Sequence, residues 1–262
     1  MRARAILSLL VVALAVTAGT AHATAATSVY QVWLERGGKL WLAKREQPAT
    51  TTPARAAMQA LLAAPTVAES AAGVRSEVPA GTDVLGLGIA NGTATVDLGG
   101  GFASAGTRAA VWMRLAQVTY TLTQFASVDR VALRVDGRAV STLAGVSVPR
   151  TMTRSTFHTL MPLITVWNPP IGSSLAGSVR VSGDADVFAG HVHVAIAGQS
   201  GAIIARAQTT TSCGTGCRGG YTVLVPFTVA NNQLGAVVVY DDDTDGNGVP
   251  QHRVRVPVVL LA

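Results

Sequence analysis

The strongest constraint on the fold is a change of hydrophobic period part-way along the chain. Up to Val140, stretches of helical spacing alternate with stretches of strand spacing; beyond it only short alternating runs remain. An apolar residue every three or four positions makes a stripe on a helix, and strict alternation makes one face of a strand. A chain that uses both periods in one part and only the second in the other builds two cores of different kinds. Its 262 residues are enough for two domains.

In the first part, Val29 to Leu34 and Lys39 to Arg45 are predicted strands joined by Gly37-Gly38. A helix follows, with Thr52 at the N-cap and Pro53 at the first position, and Pro65 stops it. Ala54, Ala57, Met58, Leu61 and Leu62 form its stripe. Leu85, Leu87 and Ile89 alternate, as do Ala94, Val96 and Leu98, around an Asn91-Gly92 hairpin turn. A second helix is predicted from Thr107 to Phe125 on the stripe Val111, Leu115, Val118, Leu122 and Phe125. Arg114, Gln117, Thr121 and Gln124 fall elsewhere on its wheel. Val131, Leu133 and Val135 close the series before Asp136-Gly137. The order ββαββαβ predicts an α+β domain over residues 29–145, a mixed sheet with two helices on one side.

Residues 146–160 are polar and mixed and are expected to be a linker. Residues 161–262 are expected to be all β. Ile164-Trp167, Val179-Val181, His191-Ile196, Ile203-Gln208, Thr222-Val229, Ala236-Tyr240 and Arg253-Leu260 are seven short runs between Gly-, Pro- and Asp-rich turns. That spacing predicts an immunoglobulin-like β-sandwich. On the third strand His191, His193 and Ala195 should face one way and Val192, Val194 and Ile196 the other.

The N-terminus reads as an export signal, residues 1–23. Arg2 and Arg4 precede a run from Ala5 to Val16 that is apolar except for Ser8, and Ala21-His22-Ala23 fits a cleavage site. The alternative is that the segment stays as an anchor. After cleavage no stretch is long and apolar enough to span a membrane. The expected location is secreted, associated with the cell envelope.

Composition narrows the function. Hydrophobic residues make up 49% and charged residues 13%, which excludes a disordered chain. The net charge of +6 is thin, and of 20 basic residues only Lys39 and Lys44 are lysines. Basic and aromatic residues are not interleaved, so nucleic acid is not an expected partner. Trp33, Trp41, Trp112 and Trp167 are expected in core or rim positions rather than on a sugar-stacking surface.

Two groups of residues are candidate sites. Asp241, Asp243 and Asp245 before Gly246 have the spacing of a calcium loop, with His252 where the bidentate Glu belongs. Weak calcium is one reading and a solvated acidic turn the other; no other cofactor is expected. Cys213 and Cys217 flank Gly-Thr-Gly and are expected to form a small disulfide in an oxidising compartment. The other reading is a redox or zinc pair, for which His191 and His193 are the nearest additional ligands by type. No nucleophile elbow, P-loop or H-E-x-x-H motif occurs in the sequence.

Two resemblances add to this. Ala60-Leu61-Leu62 with Pro65, Val78-Pro79-Ala80-Gly81-Thr82, Asn91 to Leu98, Leu115 to Phe125, Val128 to Val131 and Asp136-Gly137 resemble the GerMN domain of bacterial sporulation and spore-germination proteins. The resemblance implies a ring-building or binding fold without catalytic residues. Arg154, Phe157, Pro162, Ile164, Pro169, Gly172, the run Val181 to Phe188, Arg218-Gly219, Tyr221 and Val225-Pro226-Phe227 resemble the Gmad2 immunoglobulin-like domain. The glutamate usual after the phenylalanine is Ala189 here. The expected function is a non-enzymatic assembly or binding module of the cell envelope. Its partners would be an envelope protein, a cell-wall polymer, or a second copy met through the N-terminal domain, where Arg108 and Arg114 are available contacts. The rival reading is a wall-associated carbohydrate-processing enzyme or peptidoglycan hydrolase.

Overall fold

The computed structural model describes residues 26–242 and 252–262. The predicted export segment lies outside the described residues. β1 (Thr27–Arg36) and β2 (Lys39–Pro48) pair antiparallel across Gly37-Gly38, both at positive φ as a tight hairpin turn requires. α1 (Pro53–Leu62) starts as expected, although the Thr52 side chain makes no capping bond. α2 (Val67–Ala71) is an unexpected single turn, too short to show a stripe; a Thr66–Glu69 capping box marks it.

β3 (Val84–Ala90) and β4 (Thr93–Leu98) form the second hairpin over Asn91-Gly92. α3 (Arg108–Leu122) is capped by Thr107, whose hydroxyl accepts from the Ala110 N–H, and it ends three residues before the predicted Phe125. β5 (Arg130–Val135) and the two-residue β6 (Arg138–Ala139) complete a four-stranded sheet in the order β3-β4-β5-β6. The sheet is mixed as expected, with β4 and β5 parallel and the other pairs antiparallel. The β1–β2 hairpin does not join it and forms a sheet of its own. Val111, Leu115, Val118 and Leu122 of α3 are wholly buried in one core with Leu34, Met58, Leu61, Val96, Leu98 and Val131.

The stretch expected to be a linker is built into this core. β7 (Thr142–Leu143) and β8 (Val146–Ser147) form a small hairpin, followed by a 3₁₀ segment over Arg154–Leu160. Val148, Met152 and Phe157 are buried with the α3 stripe, and Met152 exchanges backbone hydrogen bonds of 2.8 Å with Val131. Its apolar residues stand singly among polar ones, so neither period shows.

The second part contains all seven predicted strands. They are β9 (Ile164–Asn168), then, after a short extra strand β10 (Ser174–Ala176), β11 (Ser178–Ala185), β12 (His191–Ala197), β13 (Ile203–Thr210), β14 (Gly219–Pro226), β15 (Gln233–Tyr240) and β16 (Val254–Leu261). They form a five-stranded sheet β10-β16-β15-β12-β13 and a three-stranded sheet β14-β11-β9. Val192, Val194 and Ile196 point into the sandwich with Val237 and Val239, while Ala195 lies in a separate small cluster with Ala236 and Val238. That is the alternation expected of strands with one buried face.

The two parts meet at the β1–β2 hairpin. Trp41 packs against both cores, and Arg36 stacks over its ring at 4.7 Å while donating 2.7 Å to the Arg255 carbonyl. A Cβ on Gly172 would lie 2.9 Å from the Ala68 Cβ, so α2 and the loop after β9 approach as closely as a glycine allows.

Candidate functional site

The polar side of α3 is committed inside the molecule. Gln124 exchanges two hydrogen bonds with the Gln31 backbone, at 2.9 and 2.8 Å. Thr121 Oγ1 accepts from the Trp33 N–H at 3.1 Å, and Gln117 Nε2 donates 3.0 Å to the Trp33 carbonyl. Two residues on, Glu35 exchanges backbone hydrogen bonds with Arg75. Gln31, Trp33 and Glu35 are alternate residues, so their amides and carbonyls form one edge of β1. Helix side chains at spacings of four and three residues satisfy most of that edge. The hairpin therefore has no edge left on that side to pair with β3 to β6.

This arrangement corrects the expectation for Arg114. It is 3% exposed, and its guanidinium donates to the carbonyls of Glu77, Phe102 and Ser104. Burial lowers its pKa, partly offset by the charge of Glu77. Arg114 is a structural strut; Arg108 alone of the two is exposed.

β3 is different. It is the end strand of its sheet, with β4 on one side and no described strand on the other. Among the described residues, the group that meets its outer edge is Arg55, whose guanidinium donates 3.0 Å to the Val84 carbonyl. From Leu85 to Ala90 the strand carries no charge and no proline, and Leu85 and Ile89 are 52% and 40% exposed.

The far end of the sandwich gathers the predicted site residues. Cys213 and Cys217 are joined in a disulfide with a Cα–Cα distance of 5.8 Å. The loop supports the turn before β12, because Thr215 Oγ1 accepts from the Ala189 N–H at 2.8 Å. Ala189 adopts φ 52°, a left-handed conformation rarely used by residues other than glycine. Phe188 beside it is 62% exposed. Asp241 is buried, with Oδ2 at 2.7 Å from His252 Nδ1 and, among the described residues, no hydrogen bond to Oδ1. Asp243 and Asp245 lie outside the described residues.

His191 and His193 do not approach the cysteines as a zinc set. They share Asp242: His191 Nδ1 is 2.9 Å from one carboxylate oxygen and His193 Nε2 2.5 Å from the other. The two imidazoles, His193 first, hold the Asp242 carboxyl below its ordinary pKa. The His193 ring stacks on Tyr240 at 5.3 Å. Asp242 falls between the alternate aspartates of the calcium-loop spacing; its signal in the sequence is His-x-His on β12, beside β15, whose last residue Tyr240 is followed by Asp241-Asp242. Among the described residues no group of three or more His, Cys, Asp or Glu side chains is placed to hold a metal ion.

A cleft of about 720 Å³ lies between the β1–β2 turn, the first turn of α3 and Leu160. It holds two carboxylates, Glu35 and Glu77, with Arg75 Nε at 2.5 and 3.4 Å from them. Glu35 also accepts from the Gly38 N–H at 2.5 Å. A carboxylate bound to a guanidinium and an amide is a fastening for the hairpin turn. The tryptophans are spread out: Trp33 packs on Tyr120, Trp112 on Phe157, Trp41 sits at the seam, and Trp167 is half-buried.

Residues 22–141 match the family model Germane, described as sporulation and spore germination. Residues 163–247 match Gmad2, described as an immunoglobulin-like domain of bacterial spore germination. The chain is a Germane domain followed by a Gmad2 domain. The first GerMN domain of the sporulation protein GerM from Bacillus subtilis is 24% identical, with a TM-score of 0.41, over 49% of this chain and 98% of that one. The tandem GerMN domains of the same protein are 16% identical, with a TM-score of 0.45, over 90% of this chain and 61% of that one. No curated protein matches the chain. No described helix of the Germane–Gmad2 chain is long and apolar enough to cross a membrane.

Proposed function

We propose that this Germane–Gmad2 protein is an exported, non-enzymatic module that assembles or binds other components at the cell envelope. One observation carries the proposal. The described carboxylates with the best claim to chemistry, Glu35, Glu77, Asp241 and Asp242, are each engaged by Arg75 or by a histidine. The uncharged β3 edge stays open beside them. Chemistry needs a group free to move a proton or attack, whereas contact needs exposed surface. Both family descriptions name spore germination, which supports an envelope role. Weak calcium binding by Asp241, Asp243 and Asp245 belongs to the same proposal, with the unbonded Asp241 Oδ1 as its support.

The test pairs two measurements on the purified protein and in cells. Incubated with peptidoglycan, the protein is expected to release no soluble fragments. Crosslinking in intact cells is expected to join it to envelope proteins or wall polymer. Steady fragment release, lost on Glu35→Gln or Glu77→Gln, would overturn the proposal in favour of a hydrolase.

A further inference from the structure

We infer that β3 pairs with β3 of a second copy, antiparallel across a two-fold axis, joining the two four-stranded sheets into one of eight strands. The inference rests on the contact-module reading and names its partner.

An open strand edge presents unpaired amides and carbonyls to any extended chain, and natural proteins protect such edges with charge, proline, a bulge or a cover. In the sandwich β13 contacts β14, the end strand β10 is only three residues long and lies against β11, and β9 lies against β2. In the first domain α3 side chains and Arg75 close β1. β3 has two such devices, the Arg55 cap on Val84 and a bulge between Val84 and Gly86, both at its first end, and neither covers the run from Gly86 to Ile89.

The sequence around that run identifies the occupant. Leu85-Gly86-Leu87-Gly88-Ile89 reads apolar, glycine, leucine, glycine, apolar, a palindrome in kind about Leu87. A two-fold antiparallel pair requires that symmetry, because each residue meets its mirror position on the other copy. Centred on Leu87, Leu85 lies opposite Ile89 of the second copy and Gly86 opposite Gly88. The two exposed apolar side chains then cover each other, and no like charges oppose within the stretch. A strand of this length buries a small interface, below the roughly 1,200 Å² of a standard one. The dimer is therefore weak in dilute solution and favoured where the protein is concentrated on an envelope surface.

Gly88 provides the test. It is not at positive φ, and a Cβ there would meet nothing within 4 Å, so a side chain is accepted without disturbing the fold. Sedimentation of the purified protein from micromolar to millimolar concentration is expected to show a monomer passing into a dimer. Gly88→Lys and Gly88→Glu are each expected to remain monomeric, and an equimolar mixture of them to dimerise again. Leu234→Lys, a change at an exposed apolar residue of the other domain, is expected to leave the dimer intact. A protein that stays monomeric to millimolar concentration, or a dimer indifferent to Gly88→Lys, overturns the pairing. A monomer that still crosslinks to envelope components leaves the contact-module function standing. A dimer that cleaves peptidoglycan removes that function and keeps the pairing.

Discussion

The two domains close their polar backbone in opposite ways. The Gmad2 sandwich uses more backbone: strands pair with strands, and local clamps secure its far end, a disulfide on one loop and histidine–aspartate pairs on another. The Germane domain uses side chains. Gln117, Thr121 and Gln124 reach across from α3 and take the place of a neighbouring strand along β1. A strand neighbour tolerates almost any side chain, because its backbone makes the bonds. A helix neighbour depends on particular polar residues at particular positions. The first domain should therefore be fragile at a few buried polar side chains, and the second sensitive to conditions at its end.

The largest expected effect is at Gln117, which is wholly buried and bonded to both the Trp33 carbonyl and the Glu77 N–H. Gln117→Ala strands both groups and leaves a cavity, a loss of roughly 2–4 kcal/mol. Denaturant unfolding should show it. Arg108→Ala, on the exposed side of the same helix, should cost no more than about 0.5 kcal/mol. Equal costs at the two positions would break the contrast.

Reducing the Cys213–Cys217 bridge comes next. Its loop is short, so the chain-entropy gain is about 2 kcal/mol or less, and unfolding with and without reductant should differ by no more than that. Calcium follows. Without a bidentate Glu the affinity should be about 0.1–1 mM, and a tenfold excess over Kd then stabilises by about 1.4 kcal/mol. The thermal midpoint should rise in several millimolar calcium, and Asp243→Asn should remove the rise; a flat response leaves the acidic turn.

The smallest effect is at Asp242. Its pKa is depressed in the folded state, so its contribution is complete above the unfolded carboxylate value near 4. That contribution fades as pH falls through the lower folded value. The side chain is 38% exposed and solvent screens the pair, so the change is slight. Asp242→Asn should flatten the acid limb of a stability–pH curve for the second domain and leave the first domain unaltered.

The periodic parts of this protein were legible in its sequence. Thr107 and Pro53 mark helix starts, Asn91-Gly92 marks a hairpin, and seven of the eight strands of the sandwich follow alternation, because period and turn chemistry are local properties of the chain. The cysteine pair was legible for the same reason, being only four residues apart. What tertiary structure decided lies at long sequence separation. Gln117, Thr121 and Gln124 fall off the apolar stripe of α3, yet they serve β1, more than eighty residues earlier. Val148, Met152 and Phe157 read as a linker, yet they complete the first core. Asp242 meets His191 and His193 across about fifty residues of chain. A polar side chain looks the same in sequence whether water or a distant backbone satisfies it, and only the packed fold decides between them.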